Sequence, residues 1–184
     1  MRHTVWLLAT GEAILAVAGL LWVWLRPLSI SYRFDLSALG EGFLAAAGFA
    51  VINLTLYGFA RRSGRPASVL AFLEKDVFPL FQSLSTWHLI LLASLAGLGE
   101  EILFRGAIQP EIGLWGASVL FGILHGPSRT LWVLAVWATL MGAALGFLYQ
   151  ATGNLVVPAV AHAAYDAVAL VYVKRLQPTG FVED

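Results

Sequence analysis

From Val5 to Leu25 the chain is apolar at every position that could matter to a membrane except Glu12, and runs of similar character recur as far as Val173. A bilayer core of about 30 Å is crossed by roughly 20 apolar residues in a helix. Within lipid each backbone polar group must be satisfied inside the protein, which leaves helices or closed barrels. Runs this long, without alternating polarity, specify helices. The expected fold class is therefore all-α: a polytopic membrane helix bundle of about six transmembrane helices plus one interfacial helix.

Composition supports that reading and removes others. Apolar residues make up 59% of the 184 and charged residues 12%, about half the ~25% of ordinary globular domains. With a mean hydropathy of +0.80, there is too little polar surface to coat a water-facing particle. Abundant aromatics and scarce charge exclude disorder. A formal net charge of zero argues against a nucleic-acid partner. The absence of Cys excludes disulfides, Cys-ligated zinc and thiol catalysis, leaving His, Asp and Glu for hydrolytic chemistry.

The chain reads as a single integral-membrane domain over 1–184. A two-span part covers 1–65, with spans at Val5–Leu25 and Gly42–Ala60. The apolar stretch of the first exceeds a signal-peptide core and ends in Trp22, Trp24 and Arg26 rather than a small-residue cleavage site, so it is expected to be retained. Residues 66–81 form an interfacial helix, with Val69, Leu70, Leu73, Val77 and Leu80 on one stripe and Glu74, Lys75 and Asp76 as a polar patch. A motif-bearing core spans 87–173. Its third span, Trp87–Ile108, is broken by Pro110 and Gly113, and a short fourth helix ends at His125 before Gly126 and Pro127. Leu131–Tyr149 and Leu155–Val173 complete the bundle, with Trp residues near span ends as an aromatic belt. Placing the N-terminus inside puts Arg2, Arg61, Arg62, Arg65, Lys75, Arg129, Lys174 and Arg175 in inner loops, against Arg26 and Arg33 outside. The positive-inside rule then sets both termini in the cytoplasm, and in a bacterium the inner membrane is the expected location.

Ionisable residues within spans cost at least ~2.5–3.5 kcal/mol each on insertion scales and call for a reason. Glu101 and Arg105 are four apart on one helix face, in the favourable acid-before-base order. Glu100 points about 100° away from that pair and is free to act as a base and then return the proton as an acid. Phe121 lies one turn below His125, and Asp166 one turn beyond His162, where a carboxylate can orient an imidazole. Measured from the outer helix ends, Glu100 lies at roughly 12 Å and His162 at roughly 10 Å, Asp166 at roughly 16 Å and His125 at roughly 20 Å. These depths place the four groups in one layer, a water-handling site. Glu12, Asn53 and Thr55 are expected to be interhelical hydrogen-bonding groups. Gly142 with Gly146, and the Ala159, Ala163, Ala167 stripe, are expected to be close-packing surfaces, within the chain or in a homodimer.

Glu100-Glu101-x-x-x-Arg105, Phe121-x-x-x-His125 and His162-x-x-x-Asp166, in this order, resemble the motifs of the CPBP intramembrane proteases. That family includes the type II CAAX prenyl endopeptidases and bacterial Abi-type relatives. The likeness covers about Trp87 to Val173. The third motif ends in Asp166, where many prenyl-processing members carry Asn. The resemblance implies hydrolysis of a peptide bond near the C-terminus or membrane anchor of a membrane-associated protein or peptide. Glu100 and His125 would activate water, His162 and Asp166 would stabilise the oxyanion or position the carbonyl, and Glu101, Arg105 and Phe121 would support them. No cofactor is expected under this glutamate mechanism. The alternative is a zinc site on Glu100, His125 and His162 with an open fourth position, although no His-Glu-x-x-His helix is present. A catalytically silent membrane protein of the same fold, as immunity or scaffold protein, or a proton-relay carrier, is the competing class.

Overall fold

Gly113 decides the topology. Its backbone (φ 76°, ψ 171°) lies in a region that only glycine enters readily, and there the chain folds back on itself. The structure is a computed structural model describing residues 2–65, 67–126 and 128–176. Pro66 and Pro127, where a helix start and a helix stop were expected, lie outside the described residues, as do the side chains of Arg2 and Asp76. The chain is a polytopic helical bundle, with no strand among the described residues. Its elements are α1 (Arg2–Leu25), α2 (Leu36–Ser63), α3 (Ala67–Phe72), a π-helical turn (Leu73–Val77), α4 (Phe78–Gln82), α5 (Thr86–Glu101), a second π-helical segment (Ile102–Ile108), α6 (Gln109–His125), a 3₁₀ turn (Arg129–Leu131), α7 (Trp132–Thr152) and α8 (Val156–Arg175).

Among the described residues, five helical stretches are long and apolar enough to cross a membrane. The third of them, Thr86–His125, contains both the expected third span, Trp87–Ile108, and the short fourth helix expected from Ile112 to His125. Pro110 does not break it; α6 already includes that residue, and the reversal occurs at Gly113 alone. The two arms lie side by side, with Phe104 against Phe121 at 4.9 Å between ring centroids and Glu100 facing His125. The returning arm from Gly113 to His125 rises only about 20 Å, less than a full crossing of the roughly 30 Å core.

Both π-helical segments precede a proline, Pro79 at the start of α4 and Pro110 at the start of α6. Proline lacks the N–H that would bond four residues back and crowds that carbonyl. Opening the helix by one residue per turn relieves both problems. The expected interfacial helix at 66–81 is thus helical from Ala67 to Gln82, with a π-helical turn in its middle and Leu70 and Phe78 buried. α2 begins six residues before the expected Gly42, because Asp35 caps it by accepting from the Ala38 N–H at 2.9 Å. That bond holds the Asp35 carboxyl below the usual carboxylate range.

Small residues set the helix spacing. A Cβ on Gly97 would lie 2.6 Å from the Ala163 nitrogen and 2.8 Å from the Ala159 carbonyl, so the alanine stripe of α8 meets α5 one turn before the glutamates. Gly142 and Gly146 are likewise taken up inside the chain: a Cβ on Gly146 would meet Gln109 Oε1 and Leu114 Cδ1 at 2.5 Å. α1 runs parallel to α5, with Val5 in a cluster with Leu84 and Leu89 and Gly19 against Leu103. α2 runs parallel to α8, Phe49 packing on Tyr165 and Tyr57 on Tyr172. The first residues of α1 and the last of α8 therefore share one end of the bundle. Asn53 and Thr55 bond to carbonyls of their own helix, Phe49 and Val51, rather than across helices, apart from a long Asn53 contact to the Met141 sulfur.

Candidate active site

α5 delivers Glu100 and Glu101 as neighbours on its last turn, and the following π-helical segment delivers Arg105. The Arg105 guanidinium donates to Glu101 Oε1 at 3.0 Å and to the Gly142 carbonyl at 2.7 Å. Both side chains are fully buried, so the charges are paired and hydrogen-bonded as a membrane interior requires. The expected ion pair is present, and it has a third member. His162 Nδ1 lies 2.8 Å from the same Glu101 oxygen.

That contact defines the ring. A carboxylate oxygen that already accepts from Arg105 also accepts from His162, so Nδ1 carries the hydrogen. His162 Nε2 then faces Glu100 Oε2 at 4.0 Å and Asp166 Oδ2 at 3.5 Å. Asp166, expected to orient the ring, lies on its Nε2 side; Glu101 holds Nδ1. Adjacent glutamates, about 100° apart, thus address opposite nitrogens of one histidine.

α6 supplies the other wall. The Phe121 carbonyl can only accept, so His125 donates Nδ1–H to it, at 2.8 Å. In neutral His125 the lone pair is therefore on Nε2, 3.9 Å from Glu100 Oε2. Phe121 stacks on the same imidazole with centroids 4.2 Å apart and takes the Arg105 guanidinium over its face at 5.1 Å. Its ring is buried, edge-on to Phe104.

Glu100 Oε2 is buried and has no protein hydrogen-bond partner, while two imidazole Nε2 atoms stand 3.9 and 4.0 Å from it. Two groups about 4 Å apart can both lie at ~2.8 Å hydrogen-bond distance from one water oxygen. The arrangement therefore suits a polarised water: a carboxylate to take its proton and imidazoles to orient it. His125 is the more exposed ring, its side chain 39% accessible against 8% for His162, so the site opens past His125. Among the described residues, no three His, Asp or Glu side chains converge at metal-ligating geometry. Zinc–nitrogen and zinc–oxygen bonds of about 2.0–2.1 Å in a tetrahedron bring ligand atoms to roughly 3.4 Å, closer than this trio stands.

One neighbour of the site was not legible in the sequence. Glu12, assigned there to interhelical hydrogen bonding, has a buried Oε2 with no hydrogen-bond partner, and its backbone carbonyl lies against Gly99, next to Glu100. A lone carboxyl in the first span was the only signal, and nothing local says which helix α1 lies against.

Residues 82–168 match the family model described as Type II CAAX prenyl endopeptidase Rce1-like. The chain is 44% identical over 89 residues to a Bacillus subtilis (strain 168) protein named "Uncharacterized protein YpbD", covering 48% of this chain and 47% of that protein. The chain thus spans about half the length of the curated relative it matches. No solved structure matches it significantly.

Proposed function

We propose that this chain, whose residues 82–168 carry the Rce1-like segment, is an intramembrane endopeptidase that cleaves near the C-terminus or membrane anchor of a membrane-associated protein or peptide. The observation that carries the proposal is the convergence of Glu100 Oε2 with the Nε2 atoms of His125 and His162, both rings being held through Nδ1.

Glu100 takes a proton from a water oriented by His125, and the water oxygen forms a bond to the scissile carbonyl carbon. The carbonyl electrons move to oxygen, and His162 in its charged form donates Nε2–H to that oxyanion while Glu101 accepts from Nδ1. Collapse of the intermediate breaks the C–N bond, and Glu100 returns its proton to the departing nitrogen. Asp166 steadies His162, Phe121 positions His125, and Arg105 holds Glu101 in place through its hydrogen bond to Oε1. No step requires a metal. The basic residues clustered at the end of the bundle shared by both termini support a cytoplasmic placement of those termini, in the inner membrane of a bacterial host.

The test is cleavage of membrane-anchored candidate substrates by the purified chain in liposomes. Wild type is compared with Glu100→Gln, His125→Ala and His162→Ala, each with and without a zinc chelator. Loss of about 10²–10⁴-fold in each variant, with no effect of chelator, supports the proposal. Loss on chelation with recovery on zinc addition would reassign Glu100 and the histidines as metal ligands. Equal products from wild type and Glu100→Gln would leave the site to a silent scaffold or a proton relay.

A further inference from the structure

α2 and α7 meet where Asn53 Nδ2 stands 3.7 Å from the Met141 sulfur. From that contact toward the end of the bundle shared by both termini, a cavity of about 470 Å³ opens between them, a size typical of small-molecule sites. Trp137 and Tyr165, with ring centroids 6.4 Å apart, close its inner end. Its back wall is α8, from Tyr165 through Ala169 and Tyr172 to Val173, and Val69, Leu73 and Phe78 form its floor. Tyr165 to Val173 measures about 12 Å along the helix axis, close to the ~15 Å of hydrocarbon in one bilayer leaflet.

The walls are apolar and the mouth is cationic. Among the described residues, Arg65 is the only charged side chain on the lining. Gly64 puts it there: a φ of 67° ends α2, and the N–H groups of Gly64 and Arg65 both bond back to the Ala60 carbonyl, so the chain folds under the last turn. Arg61 stands over the ring of Tyr57, which is itself on the cavity wall, at 5.8 Å. Residues 61–76 hold Arg61, Arg62, Arg65 and Lys75 against Glu74 and Asp76, a net charge of +2. An apolar void holds no ordered water, and left empty its walls forfeit their contacts. The bilayer offers an apolar chain to fill it. A cation at the mouth is complementary to a phosphate on that chain, and an uncharged filler would not account for it.

We propose that this cavity binds one anionic phospholipid of the bilayer, with an acyl chain between α2, α7 and α8 and the phosphate against Arg65. The inference does not depend on the hydrolytic reading, because Glu100, His125, His162 and Asp166 are not on the lining. The chain fills the space that α2 and α7 leave between them. It thereby holds α2, which lies outside the segment 82–168 that matches the family model, against the helices that carry the motifs.

The experiment titrates the purified full chain, delipidated in detergent, with phosphatidylglycerol or with phosphatidylcholine of the same acyl chains, and counts bound lipid by native mass spectrometry. One phosphatidylglycerol per chain is expected to be retained, more tightly than phosphatidylcholine. Arg65→Gln should weaken it about tenfold, as loss of a charge-assisted contact does, and Ala169→Phe, which fills the cavity, should abolish it. Arg175→Gln, at the same end of the bundle but off the lining, should change nothing. Equal retention by wild type, Arg65→Gln and Ala169→Phe would overturn the inference. Binding lost in Ala169→Phe, yet equal for the two lipids and untouched by Arg65→Gln, would also overturn it and assign the cavity to an uncharged apolar chain, such as the anchor of a bound peptide. Should Ala169→Phe not fold, wild type is labelled in liposomes with phosphatidylglycerol carrying a diazirine at the end of one acyl chain. Crosslinks at Trp137 or Tyr165 support the inference, and crosslinks confined to outward residues such as Leu44 and Val51 overturn it.

Discussion

Glu101 and His162 are joined carboxylate to ring nitrogen at 2.8 Å across 61 residues of sequence. The same Glu101 oxygen holds Arg105, which in turn donates to the Gly142 carbonyl. One buried carboxylate thus ties α5, the π-helical segment and α8 together, and Arg105 extends the tie to α7. The rigidity of His162, and with it the aim of its Nε2 at Glu100, depends on that tie.

Breaking it from one side should be severe. Glu101→Gln leaves Arg105 buried without a counter-charge, and removal of one partner of a buried pair typically costs about 3–5 kcal/mol. Glu101→Leu combined with Arg105→Met should regain much of that stability while activity stays lost, because His162 Nδ1 then has no acceptor. Thermal unfolding in detergent alongside cleavage rates checks both statements. Recovery of activity in the double variant would show that the Glu101–His162 contact is dispensable.

His125 should separate activity from stability. Its ring is partly accessible and held by a bond to the Phe121 carbonyl and by stacking. His125→Ala is expected to reduce cleavage by about 10²–10⁴-fold with a change in unfolding temperature much smaller than that of Phe121→Ala. Phe121 is buried in a cluster with Phe104 and Ala138, and a Phe→Ala change in such a place costs about 3–5 kcal/mol. Comparable destabilisation by the two variants would contradict this division.

Gly97 sets the distance between α5 and α8. With the added Cβ 2.6 Å from the Ala163 backbone nitrogen, Gly97→Ala must separate the helices, at a cost of about 1–3 kcal/mol for overpacking. The separation occurs one turn from Glu100, so the rate should fall as well. Gly58→Ala is the control, since a Cβ there meets nothing within 4 Å. Equal rates and equal unfolding temperatures in Gly97→Ala and Gly58→Ala would refute the spacing argument.

Asn154 should matter far from the site. It is buried, accepts from the Arg33 N–H at 2.8 Å and donates to the Arg33 carbonyl at 2.8 Å. These bonds, with Leu155 N–H to the Ser31 carbonyl, fasten the α1–α2 connection to the α7–α8 turn. Asn154→Ala strands buried backbone groups and should cost about 1–3 kcal/mol, seen as lower thermal stability and faster proteolysis between residues 26 and 35. An unchanged cleavage pattern would show that the connection is held by other contacts.

Length and periodicity of the apolar runs establish the class of fold, and residue spacing names the cast of polar groups. Apolar runs matched to bilayer thickness specify helices, because lipid offers the backbone no other partner. Helical spacing pairs Glu101 with Arg105 and puts Asp166 one turn from His162. The alanine stripe announced a close neighbour for α8. These are local periodicities, readable without knowing which helix lies beside which. Tertiary structure alone decided the partners. Pro110 reads as a helix break, yet the π-helical segment before it carries the chain on to Gly113, where positive φ turns it back and sets Glu100 opposite His125. Asp166 is the obvious orienting carboxylate for His162 from spacing, but packing at Gly97 brings Glu101 to Nδ1 instead. Glu12 comes to lie beside Gly99, next to Glu100, only because α1 runs parallel to α5. Apolar helix faces in lipid carry no long-range code for their neighbours, so these contacts arise from close shape fit between small residues, which is a property of two surfaces together.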